Sequence, residues 1–497
     1  MVEHYYIGYD IGSSSIKAGL VNARTGNKIG LVQHPAEELS IQAPEPGWAE
    51  QDPDLWYRHA CAATKQLLKD HKIRPETIIG IGISYQMHGL VMVDDHGKVL
   101  RPAIIWCDSR AVNIGNQALQ GLGESYCSEH LLNSPGNFTL SKLRWVKENQ
   151  AELYKQMYKW MLPGDYLAFR LSGVLCTTIP GLSEAISWDF RDNTPAHTLL
   201  DHYGLDPSHI PEIVPTFSVQ GKITNQAAKE TGLTTGTPVL YRAGDQPNNA
   251  LSLNVFEPGE VACTGGTSGV LYGVSEKSVA ILNSGINSFA HVNHQHEYPR
   301  IGKLLCINGT GIQYRWLRKL LKAESYDQMN GWAAEVPPGS DGLVTLPFGN
   351  GAERMLHNRT PGTSFSDINL NVHDHRHLCR ASLEGIAFAF AYGMKLLKSE
   401  AVDTRVLKTG NDNLFRSPVF STALSTLLDK EIELYDTTGA IGAARACKVE
   451  QEGLETLGKE GFKARKMKTY VPDHSQEEML QKAYARWSQI LAFNLND

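Results

Sequence analysis

The sequence has no long hydrophobic run, few cysteines and no marked excess of charge of either sign. No apolar stretch approaches the roughly 20 residues that a membrane-spanning helix needs, so we do not expect an integral membrane protein. The eight cysteines are scattered without a close pair, which disfavours a zinc site and favours reduced thiols in the cytoplasm. The net charge of −6 disfavours nucleic acid or an anionic membrane as the main partner.

Other signals of exported or non-globular chains are also missing. No basic and apolar leader precedes the first predicted strand, so we expect no signal peptide. No short-period repeat or low-complexity segment interrupts the sequence. A hydrophobic content of 42% and a charged content of 20% are ordinary for globular proteins, and 497 residues predict two or three domains.

Strand-like and helix-like stretches alternate along the chain, which predicts an α/β fold. The predicted strands are 5–10, 16–21, 78–84, 103–106, 238–243, 260–263 and 270–274. The predicted helices are 54–69, 142–157, 246–253, 313–321 and 380–397. The segment 254–259 contains a Pro-Gly pair and is the best boundary candidate, so the predicted domains are 1–253 and 254–497.

Two turns rich in glycine, serine and threonine, one in each half of the chain, lie between predicted strands. They read Tyr9-Asp10-Ile11-Gly12-Ser13-Ser14-Ser15 and Cys263-Thr264-Gly265-Gly266-Thr267-Ser268-Gly269. Backbone N–H groups and hydroxyls in such turns can hydrogen-bond an anion. One turn alone would be interpreted as an ordinary hairpin, whereas two suggest half-sites for one polyphosphate, as in an ATP site of the actin-like kind.

These turns predict the residues that bind the nucleotide. The expected phosphate-binding residues are Gly12, Ser13, Ser14, Ser15, Gly266, Thr267 and Ser268. Asp10 stands at a strand end before the first turn, and an aspartate there is a common turn former. Beside a phosphate-binding turn it is instead predicted to hold Mg²⁺, directly or through water, because Mg²⁺ prefers one or two carboxylates together with phosphate oxygens.

Several blocks of sequence, in order along nearly the whole chain, resemble the FGGY carbohydrate kinases, and most closely the branch that phosphorylates xylulose. The two turns are similar to the family's two phosphate loops. The other matching blocks are 46–53, 86–90, 101–110, 162–167, 187–189 and 380–388. The resemblance implies a two-domain actin-like ATPase fold, a duplicated ribonuclease H-like unit, with ATP and sugar in the cleft between the domains.

The resemblance also assigns roles to residues of the predicted sugar site. Asp245 follows a predicted buried strand at the edge where α/β folds place ligands, and it matches the family's catalytic aspartate, so we predict a general base. An aspartate there is also a common N-cap, and the two roles are compatible. Met87, His88 and Gln246 are implied to contact the sugar, although a lone histidine after a strand is more often structural. Trp106 is predicted to offer an apolar face to the sugar or to lie in the core.

Three further features depart from the family pattern or keep two interpretations. Gly410 and Asn411, in the segment 409–413, match the position of the family's adenosine-binding loop, but the usual run of glycines is absent and a plain turn would give the same residues. Tyr85 stands where the xylulose branch usually has glycine, and it is expected to narrow or rim the sugar pocket. Asp108 and Arg110 are predicted to orient the substrate or to pair with each other.

The predicted function is ATP-dependent phosphorylation of a ketopentose, with the 5-hydroxyl of D-xylulose as the expected acceptor. Alternatives are a kinase for another ketose or polyol (ribulose, fuculose, sedoheptulose or glycerol), a non-catalytic ketose-binding regulator, and an actin-like scaffold ATPase. The expected partners are a small sugar and ATP, without nucleic acid or membrane. A homodimer is also compatible with the family.

Overall fold

Two β-sheets, one in each half of the chain, organise the computed structural model, which describes residues 2–411, 413–459 and 462–496. Helices cover both sheets, so the predicted α/β class is confirmed. Asp412, in the segment predicted as the adenosine loop, lies outside the described residues. Among the described helices, none is both long and apolar enough to cross a bilayer. All eight cysteines are free thiols.

The first half contains the elements β1 to β14 and α1 to α10. Its strands are β1 (Tyr5–Ile11), β2 (Ile16–Asn22), β3 (Lys28–His34), β4 (Glu50–Gln51), β5 (Ile78–Tyr85), β6 (Val91–Val93), β7 (Ala103–Ile104), β8 (Lys159–Met161), β9 (Cys176–Thr177), β10 (Trp188–Asp189), β11 (Thr194–Pro195), β12 (Glu212–Ile213), β13 (Phe217–Lys222) and β14 (Pro238–Gly244). Its helices are α1 (Pro53–Asp70), α2 (Val112–Leu122), α3 (Glu124–Tyr126), α4 (Thr139–Asn149), α5 (Ala151–Gln156), α6 (Pro163–Ser172), α7 (Ile179–Glu184), α8 (His197–Tyr203), α9 (Asn225–Thr231) and α10 (Asp245–Ser252).

The second half contains the elements β15 to β23 and α11 to α17. Its strands are β15 (Val261–Gly265), β16 (Gly269–Ser275), β17 (Asn287–Ala290), β18 (Ile301–Ile307), β19 (Val344–Phe348), β20 (Gly362–Ser366), β21 (Val406–Gly410), β22 (Glu431–Asp436) and β23 (Arg465–Tyr470). Its helices are α11 (Gly311–Leu321), α12 (Tyr326–Ala334), α13 (His375–Ser399), α14 (Pro418–Leu428), α15 (Gly439–Ala446), α16 (Val449–Glu452) and α17 (Glu477–Asn496).

The two large sheets repeat one strand pattern. The first has the order β13-β14-β5-β1-β2-β3, and the second has the order β17-β18-β16-β15-β21-β22-β23. In the first, β1, β2 and β3 pair antiparallel, while β1, β5 and β14 are parallel. In the second, β15, β16 and β18 pair antiparallel, while β15, β21 and β22 are parallel. The same five-strand unit therefore occurs twice, as a duplicated fold requires.

Helix α15 from the second half packs on the sheet of the first half, and it also contacts α10. Glycines make this approach possible: a Cβ on Gly8 would lie 1.9 Å from the Ala440 carbonyl oxygen, and one on Gly82 would lie 2.0 Å from the Ala443 carbonyl oxygen. Because a real Cβ cannot lie so close to backbone, only glycine allows this packing. The domain boundary at 253/254 stays a prediction.

Most predicted elements exist with small changes of their ends, but two differ. The helix predicted over 142–157 is α4 and α5, separated at Gln150, whose φ of −137° and ψ of 51° are not helical. The strand predicted over 103–106 is only β7, which pairs with β4. It gives way to a turn in which the Asp108 N–H donates to the Ile105 carbonyl at 3.2 Å. Both misses are local breaks in otherwise apolar patterns.

Candidate functional site

The first turn, Gly12 to Ser15, closes the antiparallel hairpin of β1 and β2. The Gly12 N–H donates to the Ser15 carbonyl at 3.0 Å. The Gln51 amide donates to the Ser13 carbonyl at 2.7 Å, and the Gln51 oxygen accepts from the Trp56 indole N–H at 3.1 Å. This side-chain network therefore holds the shape of the turn from one side.

The second turn, Gly266 to Ser268, closes the equivalent hairpin of β15 and β16. The start of α11 lies against it: the Ile312 N–H donates to the Thr267 carbonyl at 3.0 Å. A Cβ on Gly311 would be 2.1 Å from the Gly266 carbonyl oxygen, so a larger residue would push the helix away. A helix N-terminus close to a glycine-rich turn is a favourable setting for a phosphate group.

A cavity of about 490 Å³ opens from the second turn. It is lined by Gly266, Thr267, Gly311, Tyr314, Arg315, Arg318, Ser325, Tyr326, Asp327, Asn330, Leu383, Leu414, Arg416 and Ser417. The Tyr314 and Tyr326 rings stack within it, with centroids 5.9 Å apart. Gly410, the last residue of β21, and Asn411 are not part of the lining, whereas Leu414, Arg416 and Ser417 are. Nothing in the sequence pattern indicated the arginines and tyrosines of α11 and α12.

Asp10 and Asp245 lie at the same edge of the first sheet. Both Asp10 and Ala243, the second residue before Asp245, are in register with Ser84 of β5, so the ends of β1 and β14 are level. The Ser84 hydroxyl donates to the Asp10 carboxylate at 2.9 Å. Burial, and after it the charge of Asp10, raises the pKa of Asp245 to about 7. A carboxyl with this pKa can accept a proton near neutral pH.

The structure places Asp245 one residue after the capping position of α10. The capping residue is Gly244, which makes no side-chain hydrogen bond. Asp245 is the first residue of the helix, and hydrogen bonds from Gln246 partly offset the rise that burial causes in the pKa of its carboxyl. A partly buried aspartate with a raised pKa beside a second carboxylate is typical of a reacting group.

His88 follows β5 in a left-handed conformation, with φ of 62°. Its Nδ1 lies 2.9 Å from the Glu184 carbonyl oxygen. Because a carbonyl only accepts, Nδ1 carries the proton, and Nε2 keeps a lone pair for a hydroxyl donor. Burial lowers the pKa of His88 to about 3, so the ring is neutral. The Phe138 and Phe289 rings pack against it with centroids 4.8 and 5.2 Å away, and Phe289 comes from the second half.

Lys142 is a buried residue near this site that the sequence did not reveal. Its ammonium donates to the His88 carbonyl at 2.8 Å and to the Ile105 carbonyl at 3.0 Å. Burial lowers the pKa of Lys142 to about 8. The lysine stabilises the strained backbone at His88. No spacing rule singles out one lysine on α4, so only the fold could show this role.

The other three residues predicted to bind the sugar, Met87, Gln246 and Trp106, differ in how far they are buried. Met87 is buried beside Gly244, where a Cβ would lie 2.6 Å from the Met87 Cγ. The Gln246 amide oxygen is buried and has no hydrogen-bond partner among the described residues. Trp106 is 54% exposed, with its indole nitrogen 3.5 Å from the Ser13 hydroxyl. It therefore lies beside the first turn, and the core alternative for it is wrong.

Asp108 and Arg110 pair with each other, which was one of the two roles predicted for them. The Arg110 guanidinium contacts Asp108 at 2.7 Å and Glu50 at 2.7 Å, and its centre lies 3.8 Å from the Trp48 ring. Tyr85 is fully buried, with its ring against Gly164, so it does not rim an open pocket. A tyrosine ring fits there because the facing residue is a glycine.

Comparisons with known proteins show which proteins this chain is similar to. A model of the FGGY family of carbohydrate kinases, N-terminal domain, matches residues 5–252. A xylulose kinase of Staphylococcus epidermidis is 30% identical over 407 residues, covering 80% of this chain and 78% of the relative. An L-xylulose/3-keto-L-gulonate kinase of Escherichia coli is 29% identical over 503 residues, covering 98% of this chain and 97% of the relative. The crystal structure of xylulose kinase from Rhodospirillum rubrum covers 99% of both chains, with a TM-score of 0.84 at 26% identity.

The repeated sheets, the two turns and these relatives define the class of the protein as a sugar kinase of the actin-like ATPase fold. The chain belongs to the FGGY family of carbohydrate kinases. It is an ATP-dependent carbohydrate kinase, with a small sugar and ATP as its substrates. The predicted family, fold and enzyme class are confirmed, and the scaffold ATPase is excluded.

Proposed function

We propose that this kinase transfers the γ-phosphoryl group of ATP to the 5-hydroxyl of D-xylulose, with Asp245 as the general base. The observation that carries the proposal is the Asp245 carboxyl, whose pKa is raised to about 7 at the sheet edge that also holds Asp10. Phosphoryl transfer needs a group that accepts the proton of the sugar hydroxyl, and a carboxylate of this pKa is suited to it at neutral pH. The xylulose kinases among the relatives support the choice of sugar.

Met87, His88, Gln246 and Trp106 bind the sugar in this proposal. The neutral His88 ring offers its Nε2 lone pair to one hydroxyl. The Gln246 amide oxygen lacks a partner among the described residues, so it can accept from another. Buried polar groups normally have partners, and a polyol supplies several hydroxyl donors at once. Trp106, close to the first turn, covers the sugar end that receives phosphate.

The nucleotide occupies the two turns and the cavity beside the second. Gly12, Ser13, Ser14 and Ser15 bind its phosphates from the first half. Gly266, Thr267 and Ser268 bind them from the second half. The nucleoside then lies in the cavity that opens at Gly266 and Thr267. We also propose that Gly410 and Asn411, at and just after the end of β21, contact it. Transfer is favoured when this polyphosphate and the sugar are held in line.

Asp10 holds Mg²⁺ in this proposal. Its carboxylate takes only one hydrogen bond among the described residues, from Ser84, and it lies close enough to Asp245 to raise that pKa. A carboxylate beside a phosphate-binding turn matches the oxygen ligands that Mg²⁺ prefers. When bound there, the ion neutralises charge on the phosphates.

The test is ADP release with ATP and Mg²⁺ across a panel of acceptors. The panel contains D-xylulose, L-xylulose, 3-keto-L-gulonate, D-ribulose, L-ribulose, L-fuculose, sedoheptulose and glycerol, with a control that lacks sugar. We expect D-xylulose to give the highest kcat/KM. A clear preference for another acceptor would keep the kinase and refute the proposed sugar. No turnover of any acceptor would refute D-xylulose and indicate an acceptor outside the panel.

A further inference from the structure

Glu184, the last residue of α7, is a buried acid that the proposed reaction does not yet use. The residue is 1% exposed, and neither carboxyl oxygen has a hydrogen-bond partner in the part of the chain that the structure describes. An unpartnered polar group in a protein interior lowers stability, so its presence calls for a physical reason.

The carboxyl of Glu184 lies between three residues of the sugar site. One oxygen is 3.9 Å from the His88 Nδ1. The same oxygen is 3.1 Å from the position that a Cβ on Gly244 would take, and the Met87 sulfur is 3.2 Å from that position. Gly244 directly precedes Asp245. The unpartnered carboxyl therefore points into the space where the histidine, the methionine and the start of α10 meet.

Tyr85 occupies the other side of this acid. Burial, and after it the charge of Glu184, raises the pKa of the Tyr85 hydroxyl well above its ordinary value. The ring is fixed against Gly164, where a Cβ would lie only 2.0 Å from the ring. This is the tyrosine that stands in place of the glycine usual in the xylulose branch. A large fixed ring at this position limits how far the Glu184 side chain can turn away from the sugar site.

The groups that face Glu184 act in opposite directions on its carboxyl. They are Tyr85 from β5, His88 after it, Asp165 from α6 and Asp245 from α10, with Arg242 of β14 paired to Asp165 at 2.8 Å. Burial, and after it the charges of Asp245 and Asp165, raises the pKa of Glu184 well above its ordinary value, while the Tyr85 hydroxyl and the His88 backbone N–H partly offset this rise. A carboxyl, when protonated, has both a donor and an acceptor, as a sugar hydroxyl has.

The second half of the chain covers this acid. The Ala290 N–H of β17 donates to the hydroxyl of Ser183, the neighbour of Glu184, at 2.8 Å, and Phe289 packs on His88. A hinge movement that separates β17 from α7 would uncover the carboxyl, and such movements are common in kinases.

We propose that Glu184 is a specificity-determining residue whose carboxyl hydrogen-bonds a hydroxyl of the bound sugar beside His88. This inference rests on the proposed sugar site. When the two halves separate, the hydroxyl reaches the carboxyl, and closure of β17 over α7 then buries the pair. In the free protein the unpartnered carboxyl lowers stability. Only a ligand with a hydroxyl at this position supplies the missing hydrogen bond.

Two substitutions of Glu184 test this. Glu184→Met keeps the size and removes all hydrogen bonding, so we expect KM for the sugar to rise about tenfold or more, while KM for ATP changes by less than about twofold. Because the substitution also removes an unpartnered buried group, Tm without ligand should rise. Glu184→Gln keeps a neutral polar group of the same shape, and KM for the sugar should stay within about threefold of the original.

Glu353 provides a matched control. It is also a buried acid, but its oxygens accept from the Asn308 and Gly309 backbone N–H groups at 2.9 and 2.7 Å. Glu353→Met should therefore lower Tm, opposite to Glu184→Met. An unchanged KM for the sugar in Glu184→Met, or a fall of its Tm, would overturn the inference. A wild-type protein that prefers another sugar would refute only the choice of D-xylulose, and the KM comparison would then be made with that sugar.

Discussion

The two halves of the molecule share one strand pattern but carry different chemistry at its edge. The next-to-last residue of β1 is Asp10, whereas the same position of β15 is Thr264. The strand that ends the parallel part of the first sheet leads directly into Asp245, whereas its counterpart β22 leads into Thr437 and Thr438. At these matching positions the first half thus has the carboxylates of Asp10 and Asp245 and the second half has threonine hydroxyls, although β22 itself ends in Asp436. The two sheets thus have similar edges because the fold is duplicated. In the proposed mechanism only the edge of the first sheet is reactive, because it has the two aspartates.

The helices that follow these strands show the same contrast. Thr438 caps α15, with its hydroxyl accepting from the Ile441 N–H at 3.4 Å. The cap of α10 is Gly244, which has no side chain to do this. Glycine as a cap is less favourable than threonine by only about a few tenths of a kcal/mol, so the first half gives up little stability at the position where the base is proposed.

Asp245→Asn should give the largest effect, because it removes the proposed base from the reactive edge. We expect kcat to fall roughly 10²–10⁴-fold with KM for the sugar little changed, since the amide keeps the shape but cannot accept the proton. Steady-state kinetics with the preferred sugar measure both constants. A kcat within about threefold of the wild type would refute the assignment of the base.

Gly82→Ala should break the contact that joins the two halves. Its Cβ would lie 2.0 Å from the Ala443 carbonyl oxygen, so α15 must move away from the first sheet, and we expect a loss of about 1–3 kcal/mol in the free energy of unfolding. Denaturant unfolding measures it. Gly331→Ala is the control, because nothing lies within 4 Å of its Cβ position on α12, and alanine there should stabilise by up to about 1 kcal/mol. Equal effects of both would show that α15 is not closely packed.

Sequence reasoning predicted the parts of the site that depend on local pattern. Both turns and the strand before Asp245 are continuous in sequence, and the carboxyl ends of parallel strands meet at one edge, so Asp10 and Asp245 could be expected near each other. The surroundings of His88 could not be predicted in this way. Lys142, Glu184 and Phe289 reach His88 from α4, α7 and β17, and their approach depends on how distant elements pack.

Tyr85 shows that the sequence can mark a residue as unusual without indicating where its side chain lies. Its departure from glycine was visible in the sequence, but which way its ring points was not. The ring is buried because Gly164, far along the chain, leaves space for it. A pair of complementary sizes on β5 and α6 carries no local periodic signal.

The pH dependence of kcat/KM tests whether the carboxyls of the first half interact as described. Because the base must be ionised and the pKa of Asp245 is raised to about 7, kcat/KM should fall about tenfold per pH unit below that value. A profile that stays flat down to about pH 5 would show that the carboxyl is not held at this raised pKa.

Stability should show the opposite dependence on pH. A carboxyl whose pKa is raised on folding favours the folded state at low pH, and this contribution is lost as pH rises from about 4 to about 7. Asp245→Asn should therefore raise Tm at pH 8 more than at pH 5. Thermal unfolding at both pH values measures the difference, and an equal change at both would contradict the raised pKa.

Thr438→Ala gives the smallest effect, and it tests the other side of the comparison. The substitution removes the cap of α15, so we expect the free energy of unfolding to fall by about 1 kcal/mol while kcat changes little. Asp245→Asn should do the reverse, with a large loss of kcat and no loss of stability at pH 8. If Thr438→Ala instead lowered kcat as strongly as Asp245→Asn does, the two helix starts would be equivalent in function, and the chemical asymmetry between the halves would be refuted.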